Sequence, residues 1–288
     1  TNNGGRKVAI VIDESGSMES SDPYDLRIQA GRSVNDWLIS SKEAGGGKQA
    51  DLVTVIGFDD VTRLLYPLGD PAGADKVFSQ ITTRGGTYIA GGVDDAMTEI
   101  TKSGHDPTSN RSAIVVLTDG ADSSTTTLVK SINKASQQGI RVSFGFLTGL
   151  YSSFSYQDQN VLAAILGTGG MYATIDGATA QNAFVNLMIV HGLTGNDNSN
   201  SISSTTIYNG LSVAFPLDTS GTNTLTYTAE ANEKLTFSIT SVAAGELTVT
   251  AKDPGGKELG KSTVSAYSSL PVDLKVTAST AGPLQLKV

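Results

Sequence analysis

Two unbroken apolar runs constrain this chain more than any other feature. Val8-Ala9-Ile10-Val11-Ile12 and Ala113-Ile114-Val115-Val116-Leu117 contain no polar residue at alternate positions. Each reads as a buried strand, the pattern of a parallel sheet covered on both faces. Both runs stop abruptly in short oxygen-bearing side chains and glycine. Asp13-Glu14-Ser15-Gly16-Ser17 follows the first, and Thr118-Asp119-Gly120 closes the second. In an open parallel sheet, neighbouring strands deliver their C-terminal ends to one edge, and ligands bind in the crevice outside it.

The surrounding sequence up to about residue 192 alternates strand and helix signals, the α/β pattern. Leu26, Ala30, Val34, Trp37 and Leu38 have helical spacing and predict a helix over 26–40. Residues 52–58 read as a strand. Residues 61–66 return beside it as an edge hairpin through Asp59-Asp60. A short helix is expected over 74–81, and longer ones over 90–101, 128–138, 158–166 and 178–190. Strands are expected over 140–146 and 169–174. The predicted fold is a doubly wound, mostly parallel sheet with one antiparallel edge strand.

At Gly192 the composition changes. Gly195 to Ser201 is small and polar, so residues 193–204 read as a linker between a first domain over 1–192 and a second over 205–288. The second domain has period-two alternation, as in Leu235-Thr236-Phe237-Ser238-Ile239-Thr240 and Leu247-Thr248-Val249-Thr250-Ala251, broken by the turn Asp253-Pro254-Gly255-Gly256. Short alternating strands separated by turns predict a small all-β antiparallel sandwich. A chain of 288 residues accommodates two such domains.

The chemistry lies at the strand ends. Asp13, Ser15 and Ser17 stand at alternate positions, so in a tight loop all three turn toward one point. Arg84-Gly85-Gly86-Thr87 puts a further hydroxyl on a glycine-rich loop before a helix, and Asp119 ends the second apolar run. Such oxygens suit a hard cation, and Mg²⁺ takes few protein ligands plus waters in a near-octahedral shell. Taken singly, Asp13 is a loop or cap residue, Thr87 a helix cap, and Thr118-Asp119-Gly120 an ordinary turn. The coincidence of all three with strand ends favours a metal site.

These residues resemble the von Willebrand factor A (integrin I-like) family over roughly residues 6 to 192. Asp13-Glu14-Ser15-Gly16-Ser17 matches its first metal loop, Thr87 in Gly-Gly-Thr its second, and Asp119 in Thr-Asp-Gly its third. The resemblance implies a metal-ion-dependent adhesion site (MIDAS) made by Asp13, Ser15, Ser17, Thr87 and Asp119. The three hydroxyls would bind Mg²⁺, or alternatively Mn²⁺ or Ca²⁺, directly, and the two aspartates largely through water. The last coordination position would go to an acidic group of a protein or glycan partner. Glu14, Met18, Glu19, Asp22, Arg84, Tyr88 and Asp122 are then expected to form the surrounding surface, Asp122 following the third loop closely enough that it could also reach the site through water. The second domain resembles the β-sandwich of calcium-activated chloride channel regulator and hemicentin-type extracellular proteins, and also pre-peptidase C-terminal domains.

Composition narrows the alternatives. A net charge of −8 argues against nucleic acid, which needs basic patches. The absence of cysteine removes disulfides, thiolate metal sites and thiol nucleophiles. No apolar stretch approaches the ~18 residues of a membrane span. Neither His105 nor His191 has a second His, Cys or Glu at metal-ligand spacing, which argues against zinc. Asn110-Arg111-Ser112 is a glycosylation sequon. The expectation is therefore a divalent-cation-dependent adhesion or ligand-binding protein, not an enzyme, secreted or held at the cell surface. A structural surface or assembly protein whose metal only stabilises the fold is the alternative. A metal-dependent hydrolase is disfavoured by the lack of a nucleophile elbow, a Walker loop or a placed general base.

Overall fold

The structure is a computed structural model describing residues 4–102, 111–120, 122–147, 158–175, 177, 181–182, 184–185, 188–193, 206–207, 221–239, 246–265 and 272–288. His105, the sequon residue Asn110 and the polar stretch 194–204 lie outside the described residues. The chain divides into two compact units: Thr1–Ser155 with Asn160–Asn198, and Tyr156–Gln159 with Ser199–Val288.

The first unit is built on a six-stranded sheet. Its elements run β1 (Lys7–Asp13), α1 (Met18–Ser21), α2 (Leu26–Trp37), β2 (Leu52–Phe58), β3 (Thr62–Gly69), α3 (Ile89–Ile100), β4 (Ser112–Thr118), α4 (Thr125–Gln137), β5 (Ile140–Leu147), α5 (Gln159–Gly167) and β6 (Tyr172–Ile175). The strand order is β3-β2-β1-β4-β5-β6, all parallel except β3, which pairs antiparallel with β2. The two apolar runs, β1 and β4, are adjacent central strands. Their register sets Ile12 opposite Leu117, so their carboxyl ends finish level, and Asp13 lies opposite Phe58 of β2.

Both faces of the central strands are covered, which explains the missing polar alternation. Val8, Ile10, Ile12, Val115 and Leu117 pack with Ala30 and Val34 of α2 and with Val77 and Phe78. Ala9, Val11, Ile114 and Val116 point the other way and are equally buried, Val11 lying beside Gly92 of α3. Trp37 is only partly buried and stacks under the Arg6 guanidinium, 4.6 Å from the ring centre. The helix expected over 74–81 is instead a pair of 3₁₀ turns, Pro71–Gly73 and Asp75–Gln80. The Asp70 side chain caps the first by accepting from Ala72 N. Val77 and Phe78 still face inward, so burial survives the change of helix type.

The second unit contains two sheets. Its strands are β7 (Thr206–Ile207), β8 (Thr224–Ala229), β9 (Lys234–Ile239), β10 (Leu247–Lys252), β11 (Glu258–Val264), β12 (Val272–Thr277) and β13 (Gly282–Lys287). Five form a sheet in the order β11-β10-β13-β8-β7, and β12 pairs with β9. All pairings are antiparallel except β7 with β8, which is parallel, a departure from the purely antiparallel expectation. Alternate residues of both sheets fill one core, among them Leu225 and Tyr227 of β8, Val249 of β10, Leu274 and Val276 of β12, and Leu284 of β13.

Tyr227 lies in that core with its hydroxyl donating to Glu233 Oε1 at 2.7 Å. Burial, then the Glu233 carboxylate, push its ionisation up to about 12 from 10.0. The folded state therefore holds the phenol proton more tightly than the unfolded chain. This contribution to stability is complete below pH 10 and is lost as pH rises toward 12. Urea unfolding at pH 9 to 12 is expected to show Tyr227→Phe losing less stability with rising pH than the parent. Parallel slopes for the two proteins would refute this.

Candidate metal site

Each predicted site residue lies at the carboxyl edge of the first unit's sheet. Asp13 ends β1, fully buried, and Ser15 follows it, 1% exposed. Asp13 is held by both its oxygens: Oδ1 accepts from Ser15 N at 2.7 Å, and Oδ2 accepts from Thr118 Oγ1 at 2.6 Å. The last contact ties the end of β1 to the end of β4. Ser15 Oγ and Ser17 Oγ lie 3.0 Å apart, so the alternate hydroxyls do turn to one point. Asp119, 8% exposed, is reached from the end of α1, which follows the first loop, by Ser21 Oγ donating to its Oδ2 at 3.0 Å.

Thr87 enters through its loop. Gly16 N donates to Gly85 O at 3.0 Å, joining the first and second loops, and Ser123 N donates to Thr87 O at 3.2 Å, joining the second and third. The Thr87 hydroxyl makes no hydrogen bond among the described residues, and it does not cap the following helix. Tyr88 holds the cap position of α3 without a side-chain bond. Asp122 serves that helix end instead, its Oδ2 accepting from Ile89 N while Oδ1 accepts from Ser124 N. Asp122 thus braces the second loop against the third, and its burial pushes its carboxyl upward. The Asp59-Asp60 turn also braces the site. Asp59 is 6% exposed and its carbonyl accepts from Tyr88 N. Asp60 Oδ2 accepts from Gly86 N at 2.8 Å, and a Cβ on Gly86 would lie 2.3 Å from Asp60 Oδ1.

Three residues expected on the site's surface lie inside: Glu14 (0% exposed), Met18 (1%) and Asp22 (2%). Glu19 and Arg84 are exposed and Tyr88 half-buried. Asp22 receives Leu26 N, Arg27 N and Arg27 Nη1, holding the start of α2. Buried Arg27 in turn donates from Nε to Asp13 O at 2.7 Å. Sequence reading missed this support. Its signal was a cation at 27, on the same helical face as the core residues Ala30 and Val34.

The donor set fits a hard divalent cation. It consists of hydroxyls and carboxylates, without thiols or imidazoles, and among the described residues no three His, Cys, Asp or Glu side chains gather as a metal cluster. Burial pushes the Asp13 carboxyl up to about 6, with the Asp119 charge adding to the rise. A positive ion beside a buried carboxylate favours its charged form.

Residues 8–121 match the family model of the von Willebrand factor type A domain. No curated protein matches the chain. Among solved structures, proximal thread matrix protein 1 from the mussel byssus, with a zinc-occupied MIDAS motif, aligns at a TM-score of 0.50 and 17% identity, over 64% of this chain and 46% of its own. The pilus adhesin SpaC from Lactobacillus rhamnosus GG aligns at a TM-score of 0.50 and 16% identity, over 100% of this chain and 39% of its own. Manganese-loaded TRAP of Plasmodium vivax aligns at 0.49 and 14% identity, over 98% and 97%. At these identities the likeness is one of fold. The chain spans less than half of the byssus and pilus chains.

Proposed function

We propose that this protein binds partners through a divalent cation held by Asp13, Ser15, Ser17, Thr87 and Asp119, and acts in adhesion or ligand capture outside the cell or at its surface. The observation that carries this reading is the direct hydrogen bonding of three loops from distant parts of the chain, which gathers hydroxyls and carboxylates at one sheet edge. A cation of the Mg²⁺ or Mn²⁺ kind, when bound, supplies a concentrated positive charge for a partner's carboxylate. Asp13 has both oxygens engaged by Ser15 N and Thr118 Oγ1, which supports a role at water distance, balancing charge without neutralising it directly. Ser15, Ser17 and Thr87 offer neutral oxygens.

Arg84 adds a second attraction for an acidic partner. It adjoins Gly85, whose carbonyl meets Gly16, and its side chain is 61% exposed and pairs through Nε with Asp59 Oδ2 at 3.4 Å. On a chain of net charge −8, an exposed cation beside the site favours acidic over basic ligands. The pilus adhesin similar to it in fold supports the surface setting, and the second unit is proposed as a β-sandwich of the kind found in extracellular proteins.

The test is capture of glutamate-containing peptides on an array, with Mn²⁺, with Mg²⁺ and with EDTA. Capture is expected with either ion, abolished by EDTA, and weakened about tenfold or more by Arg84→Glu. A cation that raises the melting temperature while capture ignores EDTA would favour the alternative in which metal only stabilises the fold.

A further inference from the structure

We propose that Glu14 is the positioning residue of this site: anchored by Arg63 on the edge strand, it sets the spacing between the Asp13–Ser17 loop and the loop carrying Thr87. This inference rests on the metal-binding reading above. Glu14 stands between Asp13 and Ser15, yet it is fully buried and points into protein. Its carboxylate takes four donors. Oε2 accepts from Arg63 Nε at 2.9 Å, while Oε1 accepts from Arg63 Nη2, from Thr82 N at 2.9 Å and from Thr82 Oγ1 at 3.2 Å. With four donors on two oxygens, the carboxylate is committed to the protein.

Its backbone is committed as well. Glu14 N donates to Phe58 O at 2.7 Å, and Glu14 O accepts from Arg84 N at 2.6 Å. Side chain and main chain thus grip residues 82 and 84, and the chain runs on from there to Gly85, against Gly16, and to Thr87. Space for the carboxylate comes from Gly57 of β2. A Cβ there would lie 2.5 Å from Glu14 Oε2 and 2.6 Å from its Cδ, and a side chain so clamped cannot give way. Arg63 completes the brace with Nη2 donating to Gln80 O at 3.0 Å. Nothing in cation ligation requires a carboxylate at position 14. Its bonds to the approach of the second loop instead fix where Thr87 arrives relative to Ser15 and Ser17.

Mn²⁺ affinity of the full chain, read by electron paramagnetic resonance, tests this alongside melting temperature in EDTA. Glu14→Gln keeps the shape and removes the charge. Arg63→Met, on the partly exposed edge strand, is the second variant should the first fold poorly. Val34→Ala, in the α2 core, is the control for general destabilisation. Weakening of Mn²⁺ binding by about 10–100-fold is expected for Glu14→Gln and for Arg63→Met. The double variant should be little worse than either single one, because both remove the same brace. Val34→Ala should lower the melting temperature and leave Mn²⁺ affinity unchanged. Parental affinity in Glu14→Gln, or equal weakening by Val34→Ala, would overturn the proposal. Failure of the parent protein to bind Mn²⁺ would instead overturn the metal site itself.

Discussion

Replacing Asp22 by alanine is expected to destabilise the first unit by about 3–5 kcal/mol, the range for breaking a buried ion pair. The side chains of Asp22 and Arg27 are each 1% exposed, with Oδ2 and Nη1 2.9 Å apart. Burial is the largest influence on the Asp22 carboxyl and pushes it up, while the Arg27 bonds pull it down. The pair is therefore costly to bury and costlier to halve, since the substitution leaves the buried guanidinium only the exposed Asp25 carboxylate, 3.3 Å away, as a charge partner. It also removes acceptors from Leu26 N and Arg27 N at the start of α2. Trp37, the sole tryptophan, lies in that helix and reports the first unit's unfolding in urea. A loss below about 1 kcal/mol, the level of an ordinary substitution, would contradict this account. Because Arg27 also holds the Asp13 carbonyl, loosening of the Asp13–Ser17 loop should accompany the loss.

Thr87→Ala is expected to do the opposite: little to stability, much to binding. The hydroxyl makes no hydrogen bond among the described residues and caps no helix, so its removal should change apo stability by no more than about 0.5 kcal/mol. As a proposed direct ligand, it should matter to the cation at least as much as an outer support does. Mn²⁺ affinity is expected to fall about 100-fold or more, and peptide capture with it. Thr87→Ser, which keeps the oxygen, should restore most of both. Calorimetric titration with Mn²⁺ and melting in EDTA separate the two effects. Undiminished Mn²⁺ binding by Thr87→Ala would remove Thr87 from the site.

The sheet was readable because its determinants are local. Runs such as Val8–Ile12 and Ala113–Leu117 need no partner to identify them as buried strands, and their terminal oxygens advertise the edge at which they meet. The 71–80 segment was harder. Ala74, Val77, Phe78 and Ile81 have a helical spacing, but a single turn or two is too short to nucleate an α-helix on its own, and Pro71 with Gly73 leaves 3₁₀ geometry. The supports of the site were not legible. Glu14 meets Arg63 across 49 positions and Thr82 across 68. Charged residues are expected outside unless paired, and pairing at that separation exists only once β1, β2 and β3 are side by side. Asp22 was displaced toward the surface by the same reasoning, and it is drawn inside by Leu26 N, Arg27 N and the Arg27 guanidinium, donors that no side-chain pattern reveals.

The strand that carries Arg63 has a second consequence. As the outermost ribbon of its sheet, β3 is where another chain would add itself, rung upon rung. Pro67, exposed near its far end, has no N–H to lend to such a ladder. Any ladder that a second molecule built on this edge would lack a rung at Pro67, which weakens association through that flank without touching the rim where the strand ends gather.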